Sequence, residues 1–241
     1  MSRLLPLSLA GGLALVLLGS GSSAPHPSLP PGSPPSAVRR AAALPPASPA
    51  PPFHGSSQSI DGATRSRMTY SWRPGCPVAI EDLRLLSVDH WGFDGGTHRG
   101  ELVVHRDQAG RVLRVLRRLF EARFPIERMQ LVDVYGGDDD RSMAANNTSA
   151  FNCRSVSGRP GVWSQHSYGW AVDINPVQNP YVSRGRVSPP AGAAYVNRSL
   201  RRPGMIHAGD AMVRAFASVG WGWGGNWSSA KDYQHFSATG R

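Results

Sequence analysis

Lysine is almost missing from this chain: Lys231 is the only one, so the formal net charge of +10 is carried almost wholly by arginine. The arginines read as scattered and not striped along one helix. No nucleic-acid motif accompanies them, so no nucleic-acid partner is expected. Basic charge of this kind equally suits an exported protein working near anionic polymers or phospholipid. Cysteine is scarce too. Cys76 and Cys153 are the only two and form no CxxC, which argues against a thiolate metal site. In an oxidising compartment such a pair reads as one disulfide closing a long loop. A GxSxG serine motif is absent, and Asp138, Asp139 and Asp140 lack EF-hand spacing. No internal repeat is present. Apolar runs of membrane-spanning length are also lacking, since Leu4–Leu18 falls short of the ~20 residues a span needs.

What that short run does resemble, between the basic start MSR and the small residues GSGSSA, is a secretory signal peptide over residues 1–24. Residues 25–66 are rich in proline and poor in large apolar groups, so they read as a disordered linker. Residues 67–241 are one domain's worth of chain. The expected mature protein is secreted, cell-wall associated, monomeric and without an integral membrane domain.

Within that domain LRLLSVDH (83–90) and ELVVH (101–105) read as strands around a Gly-rich loop. Asp107 is a candidate cap for a helix running to Phe124, before Pro125. Alternation in MQLVDVY (129–135) suggests a strand, and the long polar segment after it a functional loop. GWAVDIN (169–175) is the next strand, and His207–Val219 a helix. Mixed elements without a βαβα rhythm give an α+β class: a small antiparallel sheet flanked by helices. The Trp-rich GWGWGGNW (220–227) reads as core packing, with lining of a substrate cleft as the alternative. His90, His98, His105 and His207 have no partners at ligand spacing and read as structural or surface residues.

Asp173 is the anomaly in this pattern. It lies in an apolar strand, where a buried carboxylate needs a cation or several donors. His166 precedes it closely, and KDYQHFS supplies Asp232 and His235. Two His and one carboxylate are a three-ligand set for a catalytic zinc, and a second carboxylate could take a proton from water. Strict alternation would put Asp232 and His235 on opposite strand faces, so Asp232 is expected in a loop ahead of the strand.

The pattern S-x-H-x-x-G-x-A-x-D (Ser164, His166, Gly169, Ala171, Asp173), followed by Asp232 and His235, resembles the zinc D-alanyl-D-alanine carboxypeptidases. VanX- and VanY-type enzymes and phage endolysin peptidases are relatives. The likeness runs softly from about Trp72 to Phe236. It implies one Zn²⁺ per chain on His166, Asp173 and His235, and Asp232 as general base, where many members carry Glu. It implies an upstream, strand-borne arginine aimed at the substrate carbonyl. Arg154 matches best and Arg159 is the second candidate; the alternative for Arg154 is an ion pair with Asp138–Asp140. Ser149 and Ser164 are candidates for orienting ligands or substrate. The implied substrate is a peptidoglycan stem peptide. The contrasting expectation is a non-catalytic, metal-stabilised wall-binding module.

Overall fold

The computed structural model describes residues 51–241; the expected signal peptide and residues 25–50 of the expected linker lie outside the described residues. Regular structure begins before the expected boundary at 67. β1 (Gly55–Ser59) pairs antiparallel with β2 (Leu83–Trp91), Gly55 opposite Val88 and Ser59 opposite Arg84, and α1 (Gly62–Arg67) follows β1. The sequence GSSQS lacks apolar alternation because β1 is an exposed edge strand, held by its ladder to β2 and not by burial. Asp61 caps α1, its Oδ1 accepting from the Thr64 N–H at 2.7 Å.

β2 forms an antiparallel hairpin with β3 (Thr97–His105), in register from Leu83–His105 to Trp91–Thr97. Both faces of this hairpin are covered, so its apolar residues divide by strand alternation. Leu86, Val88, Leu102 and Val104 enter the main core, whereas Leu83, Leu85 and Val103 meet Met68, Leu131, Phe151 and Cys153 in a second cluster. The disulfide Cys76–Cys153 borders that second cluster, its Cα atoms 5.9 Å apart and 77 residues apart in sequence.

The main core is roofed by α2 (Arg106–Glu121), which buries Val112, Val115, Leu116, Leu119 and Phe120. Each such side chain is worth about 1.5–3 kcal/mol when fully buried. Asp107 is not its cap. His105, extended at the end of β3, occupies that position, and its Nδ1 accepts from the Asp107 N–H at 3.2 Å. The helix stops before Phe124 because Arg123 turns to φ 52° ahead of Pro125. Arg106, Arg111, Arg114, Arg117 and Arg118 all lie exposed on α2, so part of the positive charge is striped along one helix after all.

MQLVDVY is mostly not a strand. Only Arg128–Met129 is extended (β4), and Val132–Tyr135 is a 3-10 turn closed by Gly136 at φ 72°. The alternation was coincidental, since neighbours Leu131 and Val132 are both buried and Val134 is 65% exposed. Asp133 decides the local path, its Oδ1 accepting from the N–H groups of Tyr70 and Ser71. The long segment that follows is largely organised: α3 (Asp139–Ala144), β5 (Asn147–Thr148) parallel to β4, and a small hairpin of β6 (Ser155–Val156) with β7 (Arg159–Trp163).

The remaining elements build two small antiparallel sheets. β8 (Ala171–Asp173) is narrower than the expected strand. β9 (Tyr181–Ser183) and β10 (Arg186–Ser188) form a hairpin. α4 (Ala211–Ala217) starts later than His207 because Asp210 caps it, Oδ1 accepting from Val213 N–H. β11 (Gly222–Trp223), β12 (Lys231–Asp232) and β13 (His235–Ser237) complete the sheets, which are ordered β11-β13-β8 and β10-β9-β12. Phe236 of β13 stacks on Phe216 of α4 at 4.0 Å, anchoring the first sheet to the core. The α+β class therefore holds. No helix among the described residues is long and apolar enough to cross a membrane.

The disulfide is a covalent tie across a loop long enough to be worth about 4 kcal/mol in chain entropy. Replacing both cysteines by serine should lower the unfolding free energy by an amount of that order, read as a lower urea midpoint. An unchanged midpoint would show that the bond does not stabilise the fold.

Candidate metal centre

His166 owes its position to three neighbours of small size. It sits in a 3-10 turn, Gln165–Tyr168, whose cap is Ser164, with Oγ accepting from the His166 N–H at 3.3 Å. Gly169 ends the turn at φ +67°, and a Cβ there would stand 2.4 Å from the His105 nitrogen. Glycine is thus required twice, for backbone hand and for close approach. The buried Ser167 ties the turn to the preceding segment, accepting from the Arg154 N–H and donating to the Arg154 carbonyl at 2.6 Å.

The His166 ring is fixed by a 2.6 Å contact between Nδ1 and the Ala150 carbonyl. A carbonyl only accepts, so Nδ1 carries the hydrogen and Nε2 presents its lone pair inward. His235 repeats the arrangement in reverse. Its Nε2 lies 3.2 Å from the Arg241 carbonyl, leaving Nδ1 facing inward.

Between them stands Asp173. The antiparallel register of β8 and β13 sets His235 directly opposite Asp173, so their side chains share one face. On its other side the Asp173 backbone bridges Ser149, with N–H to carbonyl bonds of 3.0 and 2.9 Å in the two directions. Ser149 therefore serves the site through its main chain. Asp173 Oδ2 is 3.1 Å from His166 Nε2, and Oδ1 is 2.9 Å from His235 Nδ1. The two ring nitrogens are 3.3 Å apart. All three residues are buried, and theirs is the group of possible metal ligands found among the described residues.

This donor set fits a divalent cation. Tetrahedral zinc with bonds of about 2.0–2.1 Å spaces its ligand atoms roughly 3.3 Å apart, close to the separations here. Two imidazole lone pairs and a carboxylate aimed at one point repel unless positive charge lies between them. Both rings also spend their distal nitrogens on carbonyls, as metal-binding histidines do. Burial pushes the Asp173 carboxyl up, but the charges and hydrogen bonds of His166 and His235 outweigh it and hold it well below the usual carboxylate range. Burial favours neutral His235, yet Asp173 beside it raises that imidazole to about 9.

Asp232 stands next to this cluster. It lies on β12, opposite Tyr181, and not in a loop; the turn Tyr233–Gln234 between β12 and β13 removes the alternation problem. The residue is only half-buried, but its Oδ1 is enclosed and has no hydrogen-bond partner among the described residues. Burial, with Asp173 and Asp139 adding repulsion, pushes its carboxyl up to about 7. Gly224 makes room for it, since a Cβ there would meet the Asp232 carbonyl at 2.6 Å and the His235 Cβ at 3.3 Å.

Arg154 precedes β6 and is not itself in a strand. Its Nη2 pairs with Asp139 Oδ2 at 2.7 Å, the ion pair anticipated as its alternative, and its Nε is buried without a partner among the described residues. Arg159 lies exposed at the start of β7. Trp221 and Trp223 are core residues, as the first reading expects, whereas the Trp227 ring lies 5.4 Å from that of His235. His90 is buried, His98 pairs with Asp94, and His207 contacts the Leu200 carbonyl. Ser167, Gly224 and the carbonyl of Arg241 escaped sequence reading. Only Gly224, within a glycine-dense run, left a trace there.

Residues 157–238 match a protein-family model described as D-alanyl-D-alanine carboxypeptidase. Neither the curated proteins nor the solved structures contain a match to this chain. The family likeness is thus borne out over the segment holding His166, Asp173, Asp232 and His235, and it begins beyond Arg154.

Gly169→Ala should destabilise the fold by more than about 1 kcal/mol, since alanine is strained at positive φ and would also strike the His105 backbone. A lowered thermal midpoint together with weaker metal retention is the expected result. Wild-type values for both would show that the turn tolerates a side chain.

Proposed function

We propose that this chain, whose residues 157–238 match the D-alanyl-D-alanine carboxypeptidase family, is a secreted zinc peptidase that hydrolyses peptide bonds in peptidoglycan stem peptides. The observation that carries the reading is the convergence of His166 Nε2, Asp173 and His235 Nδ1 beside the unpartnered Asp232 Oδ1. His166, Asp173 and His235 would hold the cation. When bound, zinc supplies a Lewis acid for the scissile carbonyl and for the attacking water.

The remaining steps belong to side chains. Asp232 takes the proton from the attacking water through its free Oδ1. A carboxyl raised toward neutrality is well matched both to take that proton and to return it to the leaving amine. Arg154, whose main chain is tied to the His166 turn through Ser167, is the proposed donor to the developing oxyanion. Asp139 holds its guanidinium until substrate arrives. The leader-like residues 1–24 support the proposed secretion, and export would put the enzyme beside the cell wall.

Asp232→Ala is the discriminating variant. It should fold and bind zinc as the wild type does, but release peptidoglycan fragments some 10²–10⁴-fold more slowly. Mass spectrometry of the released fragments then identifies the bond. Unchanged turnover in Asp232→Ala would overturn the base assignment. Zinc-loaded wild type that cleaves nothing would favour the wall-binding module. Chelation should abolish cleavage and added zinc restore it; full activity of metal-free protein would overturn the zinc mechanism.

A further inference from the structure

His166 has an anchor inside the fold, the Ala150 carbonyl. The corresponding anchor of His235 is the main-chain carbonyl of Arg241, six residues further along and beyond the matched segment. Several features converge on holding that carbonyl in place. Ser237 Oγ donates to it at 2.8 Å. The Trp227 indole N–H donates to the adjacent Gly240 carbonyl at 2.8 Å. Gly240 turns at φ +73°, its N–H bonded to the Ser237 carbonyl at 3.2 Å. A Cβ on Gly222 would stand 2.6 Å from the Gly240 Cα, so a glycine in β11 lets the chain pass. Ala238 N–H, at the base of the segment, bonds the Trp170 carbonyl at 2.9 Å. The Arg241 residue is otherwise exposed.

We propose that Ala238–Arg241 is a strap that sets the tautomer and ring orientation of His235 through the Arg241 carbonyl, with Ser237 and Trp227 as positioning residues. The inference rests on the reading of His166, Asp173 and His235 as a zinc centre. Asp173 is the other polar partner of the His235 ring, and it is itself a ligand. If the strap is missing, Nε2 loses its acceptor, the ring is free to adopt the other tautomer, and Nδ1 no longer faces the cation as a bare lone pair. The element acts through its backbone, so side-chain identity at position 241 is irrelevant while the presence of its main chain is not.

The test compares the full chain with three variants: deletion of Thr239–Arg241, Ser237→Ala and Arg241→Ala. Zinc affinity is read by chelator competition. The visible spectrum of the cobalt-substituted protein reads ligand geometry, and the metal-free thermal midpoint reads folding. The deletion should weaken zinc roughly 10–100-fold, the usual cost of losing an outer hydrogen-bond partner of a ligand, and shift the cobalt spectrum. Ser237→Ala should move both in the same direction by less. Arg241→Ala, which keeps the carbonyl, should match wild type. A deletion that binds zinc like wild type with an unaltered spectrum overturns the strap, as does Arg241→Ala weakening zinc as much as the deletion. Should the deletion fail to fold, wild-type affinity and spectrum in Ser237→Ala overturn it equally. Wild type that takes up neither metal overturns the zinc centre and the strap together, whereas the other failures leave the zinc centre standing.

Discussion

A carboxylate buried between two imidazoles governs the second half of this molecule. Asp173 is 5% exposed, and leaving such a group without positive charge costs several kcal/mol. Its neighbours cannot supply that charge as neutral rings, because the N–H of each is turned away, to Ala150 in one case and Arg241 in the other. A proton on His235 would satisfy one contact. A divalent cation satisfies all three inward donors at once, and removes the repulsion between ring nitrogens 3.3 Å apart. The hydrogen bonds of the rings thus suit a cation as much as the three side chains themselves do.

Strand alternation lets the same short strands serve both site and core. On β8 Ala171 and Asp173 point one way, while Val172, with Ile174 just after the strand, packs into the main cluster. On β13 His235 faces the site and Phe236 stacks on Phe216. His235 is 62 residues from Asp173 and 69 from His166 in sequence, yet one register sets it directly opposite Asp173. A slip of one residue would send His235 into the core and Phe236 into the site, so the stacked phenyl rings guard the geometry of the His166, Asp173 and His235 cluster.

The parts legible beforehand are those with strong local patterns. The hairpin of β2 and β3 and the body of α2 follow from apolar periodicity. The ligand triad follows from an awkward carboxylate flanked by histidines, helped by a family likeness. What escaped notice has no side-chain pattern to read. β1 is polar because it is an edge; the turn at 132–135 mimicked a strand until Leu131 and Val132 proved to be buried together. Ser167 and Ala150 act through contacts set by the fold, and Arg241 through its backbone. Arg154 illustrates a different difficulty. One reading aims its guanidinium at a substrate carbonyl and the other at an acidic run, and residue type serves both equally; the ion pair with Asp139 is what the fold makes.

Two carboxylates share this site and are divided by their surroundings. Asp173 receives both imidazoles, so its charged form is favoured despite burial. Asp232 is enclosed as well, but its Oδ1 has no donor, and the charge of Asp173 works against it, so the proton is held up to about 7. In the proposed peptidase such opposite displacements would divide the labour between neighbouring acids, one favouring its ionised form and the other able to exchange a proton near neutrality. Nothing in the residue type makes this choice, since both are aspartates. It is made by β13, which aims His235 at Asp173, and by Gly224, whose missing side chain lets the Asp232 backbone approach without bringing a donor with it.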